Sequence, residues 1–260
     1  MGKLKLLILL GLFSLTPIAR GQVSDDYINY DSLAMVINEA IDGAVKPQMS
    51  ELDKNIAMIM ATDRIITKIH DYPTYRFVYE YIIAGFAELN ANRAIDYMLS
   101  IPNKEVLNLT EDELVELREI GEKYDKLRIG AQAPDIHAVT IKGKAFDLKD
   151  VKSEMVLILF WSEGCPHCRN MLKELSSFTA DADYLTIVTV CATKDLKKVK
   201  KALRKSHLKG YHICDGMGWE SPVFIDYNIS MTPSMYLIGK NKEIVAKPFD
   251  VQEFISIIEK

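Results

Sequence analysis

The sequence has 260 residues, 48% of them hydrophobic and 26% charged, with a formal net charge of −4. That is an ordinary globular composition for one large or two modest domains, and it argues against nucleic acid as the main partner, because no basic arm or patch balances the acidic total. Four cysteines in this length are too few for a disulfide-stapled scaffold, so they point to thiol chemistry rather than cross-linking.

The chain opens with "MGKLKLLILLGLFSLTPIARG". Lys3 and Lys5 form a charged start, Leu6 to Leu15 an apolar stretch, and Ala19 and Gly21 stand at −3 and −1 of a cut before Gln22. Residues 1–21 are therefore expected to be a signal peptide, too short to span a bilayer comfortably. No cysteine stands at the cut, which argues against a lipoprotein. A membrane enters only if the segment is retained. Export to the periplasm or beyond would place the thiols where disulfides form and persist.

Residues 22–128 read as an all-helical domain. Ile37, Ala40, Ile41 and Ala44 repeat at i, i+3, i+4 and i+7, as do Tyr79, Ile82, Ile83 and Phe86. Leu52, Ile56, Ile59 and Met60 make a similar stripe, expected to face the core. Thr110 and Glu113 have the spacing of a capping box ahead of Leu114, Leu117, Ile120 and Tyr124. Pro47, Pro73 and Pro102 fall between the periodic stretches. This predicts four or five helices, with no cluster of catalytic side chains among them.

From Gly130 and Pro134 onward the grammar changes, and residues 129–260 alternate short apolar runs with helical patterns. Met155–Phe160 and Leu185–Val190 read as central strands covered on both faces. Cys165–Phe178, Asp195–Ser206 and Val251–Lys260 read as helices, Gly210–Cys214 as a short strand. Met235–Ile238 and Glu243–Ala246 flank "GKNK" as a hairpin. The expected class is α/β: a mixed sheet covered by helices on both faces, preceded by the small all-α domain. The basic run of Lys194, Lys197, Lys198, Lys200, Lys201, Arg204 and Lys205 reads as a solvated helix face.

The chemistry lies in "EGCPHC" at 163–168. A Cys-x-x-Cys pair directly after a buried strand puts Cys165 at a helix N-terminus, where orphan amides and the helix dipole favour a thiolate. Cys168 follows nearly one turn later and can close a disulfide back onto it. Pro166 costs no hydrogen bond in the first turn. His167 can place positive charge beside the Cys165 sulfur and so make the couple more oxidising. Zinc would need four ligands, and no second Cys-x-x-Cys is present. No metal or cofactor is therefore expected beyond the redox-active Cys165–Cys168 pair. Downstream, "MTPSMYLIG" sets Thr232-Pro233 before a strand, which in company with the cysteines suggests a cis X–Pro bond facing them.

Taken together, "IGAQAPDI", "LILFWSEGCPHC" and "FIDYNISMTPSMYLIG" resemble the thioredoxin superfamily, specifically the TlpA/ResA-like thiol–disulfide oxidoreductases of bacterial envelopes. The helical half resembles N-terminal extensions of such proteins in Bacteroidetes. The resemblance implies a thioredoxin fold with Cys165 attacking and Cys168 resolving. It further implies that Pro233 is the cis-proline, that the Thr232 backbone pairs with a substrate peptide, and that Trp161 packs beside the active site on the substrate side. Cysteine-containing envelope proteins, with an upstream electron donor or acceptor, would be the partners. The buried acid of thioredoxins falls here at Leu159, leaving Glu163 as the nearest acid in sequence, and "PH" between the cysteines leaves the direction of electron flow open. Two other readings compete. One is a binding module in which the helical half captures a protein. The other is a peroxiredoxin-like peroxidase, which wants Pro and Thr at fixed spacing before its cysteine; "FWSEGC" has neither.

Cys191 follows the strand "LTIVTV" and Cys214 ends "GYHI". Right-handed crossovers would make these strands parallel neighbours with both cysteines at one sheet edge. The pair could form a second disulfide or remain two buried thiols.

Overall fold

The structure, a computed structural model, describes residues 29–103, 109–178 and 184–259. The expected signal segment at 1–21 lies outside them. Two compact units divide the chain, Met1–Asp125 and Lys126–Lys260.

The first unit contains α1 (Tyr30–Ala44), α2 (Glu51–Ile66), α3 (Tyr72–Glu88), α4 (Asn92–Ser100) and α5 (Glu111–Asp125). Asn29, Ser50 and Asp71 cap α1, α2 and α3 by accepting from amides three residues on. The capping box forms: the Thr110 amide donates to Glu113 Oε2 at 2.7 Å, and the Glu113 amide to Thr110 Oγ1 at 3.3 Å. α3 is buried nearly all round, from Val78 to Ala87 apart from Glu80. It is therefore the central helix that the others cover, with Ile37, Ile41, Ile95, Met98 and Leu117 packed in the same core.

One expected face is overturned. Leu52, Ile56 and Met60 of α2 are 47–53% exposed. The helix instead buries or half-buries Met58, Ala61, Thr62, Ile65 and Ile66, at i, i+3, i+4, i+7 and i+8. Of the expected stripe only Ile59, at its edge, is half-buried and packs against the core, whereas the second stripe holds five positions over two turns.

The second unit holds a five-stranded mixed sheet in the order β5-β4-β3-β6-β7. Its strands are β3 (Met155–Trp161), β4 (Leu185–Cys191), β5 (Tyr211–Ile213), β6 (Ser234–Ile238) and β7 (Ile244–Ala246). β3, β4 and β5 run parallel; β6 and β7 are antiparallel additions. A separate hairpin of β1 (His137–Val139) and β2 (Ala145–Asp147) precedes them. The helices are α6 (Pro166–Phe178), α7 (Leu196–Ser206), α8 (Pro222–Asp226) and α9 (Val251–Ile258). The hairpin β1–β2 and α8 were not expected, being too short to carry a periodic signal.

β3 shows why its sequence is continuously apolar. Leu157, Leu159 and Trp161 face a core shared with α6, α7 and α9. Val156, Ile158 and Phe160 face the opposite core, with Phe146, Phe224 and Tyr227. A strand covered on both faces has no solvent side on which to place polar residues. The basic side chains of α7 are exposed, as its charge pattern predicted, while Val199 and Leu203 are buried.

Candidate active site

The site forms where β3 ends. Trp161 closes the strand, Ser162–Gly164 turn the chain, and α6 begins at Pro166. The Cys165 amide donates to the Ser162 carbonyl at 3.2 Å, tightening that turn, and the Arg169 guanidinium donates to the Glu163 carbonyl at 2.7 Å. Cys165 is thus the residue immediately before the helix, half-buried. The Cys168 amide, one of the helix's unpaired N-terminal donors, points at Cys165 Sγ at 3.3 Å.

Cys168 lies on the core side, 0% exposed. Burial first, and then the hydrogen bond with Cys165, push its thiol up to about 12. The two sulfurs therefore differ in kind: Cys165 is reachable and supported by an amide donor, and Cys168 is dry and held protonated. Pro166 and His167 are exposed between them.

The Thr232–Pro233 peptide is cis, as the motif led us to expect. It sits in the turn that leads into β6. Cys165 Sγ lies 3.8 Å from the Thr232 carbonyl oxygen, so the two motifs, 67 residues apart in sequence, meet. Thr232 and Pro233 are half-buried.

Trp161 is 0% exposed, which corrects the expectation that it touches substrate. An odd-numbered position of β3 points inward beneath α6, and the indole packs in the same cluster as Cys168 and Met171. Cys191 and Cys214 do lie on parallel neighbouring strands, with Val190 opposite Ile213. The structure holds them as thiols rather than a disulfide. Cys191 is buried and stands opposite Trp161 in the β3–β4 register. Cys214 is half-buried and donates to the Thr193 carbonyl at 3.5 Å. Burial raises both thiols, with the Glu163 carboxylate adding to each.

Sequence reasoning missed two features. His212, buried, accepts from or donates to the Thr189 hydroxyl at 2.9 Å and meets the Leu208 carbonyl at 3.1 Å, tying β5 to β4. A lone histidine in an apolar strand gave no signal of this. On the β1–β2 hairpin, Asp135, His137 and Asp147 bring three ligand-type atoms within 4.8 Å of one another. Directly opposed residues put His137 beside Asp147, and Asp135 also accepts from the Ile136 and Lys149 amides, so the carboxylates already have partners.

Comparison with known proteins bears on the fold that carries this site. Residues 129–247 match the model of the AhpC/TSA family. Over 115 residues the chain is 30% identical to the thioredoxin-like protein YneN of Bacillus subtilis, covering 43% of this chain and 65% of that protein. Over 131 residues it is 24% identical to the thiol-disulfide oxidoreductase ResA of Bacillus cereus, covering 47% and 70% respectively. The chain thus spans about two thirds of the length of these relatives. A solved thioredoxin-like protein from Bacteroides caccae superposes with a TM-score of 0.61 at 17% identity, covering 91% of this chain and 87% of that one. That likeness is one of fold, and it takes in the helical segment too. Residues 129–247 thus form a domain similar to the AhpC/TSA family, with a thioredoxin-like fold, that follows a set of helices in the chain.

Proposed function

We propose that this protein is an exported thiol–disulfide oxidoreductase that exchanges two electrons with protein cysteines through Cys165 and Cys168. The observation that carries the reading is the Cys165 sulfur, half-exposed, bonded by the first-turn amide of Cys168 and facing the carbonyl that precedes the cis-proline. The Cys165 thiolate attacks a substrate disulfide and forms a mixed disulfide, and one substrate sulfur leaves. Cys168 then gives up its proton and attacks Cys165, releasing the second substrate sulfur. Oxidation of a substrate dithiol is the reverse. The two electrons are held by the reduced Cys165/Cys168 dithiol and given up when the disulfide forms, so no further cofactor is invoked. The Thr232 backbone can hold an extended substrate peptide in β fashion, and cysteine-containing envelope proteins with an upstream electron donor or acceptor are the partners. The charged-then-apolar N-terminus supports export.

Pro166 and His167 set the potential of the couple. Its measured value separates an oxidant, near about −120 mV, from a reductant, near about −270 mV. His167→Pro should move it toward the reducing end.

The test is insulin reduction by dithiothreitol, run beside hydrogen peroxide consumption. The wild type should accelerate insulin precipitation and Cys165→Ser should not. Peroxide turnover without insulin reduction would replace this reading with a peroxidase. Inactivity in both would leave a binding module.

A further inference from the structure

All four cysteines of the chain belong to one cluster on the α6 side of the sheet. Their burial follows a sequence in space. Cys165 is half-buried, Cys168 and Cys191 are buried, and Cys214 is half-buried again. The Cys168 amide donates to Cys165 Sγ at 3.3 Å. Cys191 has Cys214, Glu163 and Cys168 as its electrostatic neighbours. The sheet explains the order. Cys191 is opposite Trp161, the last residue of the strand that feeds the Cys165 turn. Cys214 is one residue past the Val190–Ile213 pair, and so adjoins Cys191 across a parallel strand spacing of about 4.8 Å, within the Cα range a disulfide requires. In parallel neighbours, paired positions put their side chains on the same face, and both cysteines accordingly join the cluster that holds Cys168. Four thiols placed only as small hydrophobes would not need to share one face and one end of the sheet.

We propose that Cys191 and Cys214 are a second redox-active dithiol, which exchanges its electrons with the Cys165–Cys168 couple through a transient Cys168–Cys191 disulfide. The inference rests on the function proposed above. When the outer pair is a disulfide, the Cys191 thiolate attacks Cys168 Sγ. The Cys165–Cys168 bond breaks, Cys165 leaves as a thiolate, and a Cys168–Cys191 bond forms. The Cys214 thiolate then attacks Cys191 Sγ, and Cys168 leaves. Two electrons have moved from the inner pair to the outer one. The protons lost by Cys191 and Cys214 balance those gained by Cys165 and Cys168. The oxidant is whatever disulfide first oxidised Cys165. The chain would thus hold a second electron pair behind the exposed one, reloading Cys165 after a first turnover.

The experiment equilibrates the full chain in glutathione buffers of graded ratio, quenches with acid, alkylates without reductant and maps disulfides by mass spectrometry. The expected result is two disulfides per chain at the oxidising end, Cys165–Cys168 and Cys191–Cys214. Cys165→Ser should block oxidation of Cys191 and Cys214, and Cys214→Ser, which removes only the resolving thiol, should accumulate Cys168–Cys191 with Cys165 released. Cys165–Cys168 forming while Cys191 and Cys214 stay alkylated at every ratio would overturn this inference alone. Failure of Cys165–Cys168 to form would overturn both it and the function it rests on. The wild-type titration needs no variant to fold. A Cys214→Ser variant that forms Cys165–Cys168 but no Cys168–Cys191 bond at any ratio would rule out the relay.

Discussion

At the scale of single residues, the difference between Cys165 and Cys168 supports the order of action proposed for them. An amide donor and partial exposure serve the attacking sulfur, whereas a dry, protonated sulfur can wait for the mixed disulfide to form. Cys168→Ser should therefore leave a stable mixed disulfide with substrate on non-reducing gels, whereas Cys165→Ser should leave none; adducts of equal yield from both variants would contradict the order. His212 gives a separate prediction. Burial holds its imidazole below the usual 6.5, against the favourable hydrogen bond to Leu208. The unfolded chain then binds a proton at a pH where the folded chain does not. The stability this neutral histidine contributes is present above about pH 6.5 and is lost as pH falls through its lower folded value. Urea midpoints measured from pH 7.5 to 5 should fall, and His212→Asn should flatten that slope. At this scale the sequence was informative where chemistry demands particular residues: the two cysteines and the Thr-Pro pair could be read directly. It was misleading at Trp161, because whether a strand-end aromatic points into the core or out to substrate depends on the phase of β3 against its cover, which one apolar run does not reveal.

At the scale of elements, what was legible followed from length and period. α6, α7 and the β6–β7 hairpin were all expected, since each has either two turns of pattern or a turn signal. The face of α2 was not, because the helix carries two apolar stripes and only packing against α1, α3 and α4 selects the one through Met58 and Ile66. Three-residue strands such as β1 and β2 are too short for alternation to register. The entry into β5 shows a close approach that only glycine permits. Gly210 has φ +140°, and a Cβ there would press far inside contact distance of the Ile187 carbonyl in β4. β5 could then not reach its register beside β4. Gly210→Ala should cost roughly 2 kcal/mol or more, the sum of backbone strain and overpacking, read as a lowered denaturant midpoint with an unchanged slope. A change within about 0.5 kcal/mol, typical of neutral surface sites, would show that the approach is not needed.

At the scale of the whole molecule, two units each hold a core of their own. The first is built around α3 and the second on the two faces of β3. The chain carries its own reporter for telling them apart. Of its two tryptophans, Trp161 and Trp219 both lie in the unit Lys126–Lys260, so tryptophan fluorescence follows that unit, while far-UV circular dichroism follows both. Phe86 of α3 is 0% exposed in the helical core, and truncating such a side chain costs about 3–5 kcal/mol. Phe86→Ala should therefore shift the helix-rich part of the dichroism transition to lower urea and leave the fluorescence transition, and the rate of insulin reduction, where they stand in the wild type. An equal shift in both signals would mean that the two units unfold as a single cooperative body. A loss of insulin reduction with unchanged fluorescence would mean that the helices contribute to catalysis or substrate binding, and the thioredoxin-like unit could not then be treated as the whole enzyme.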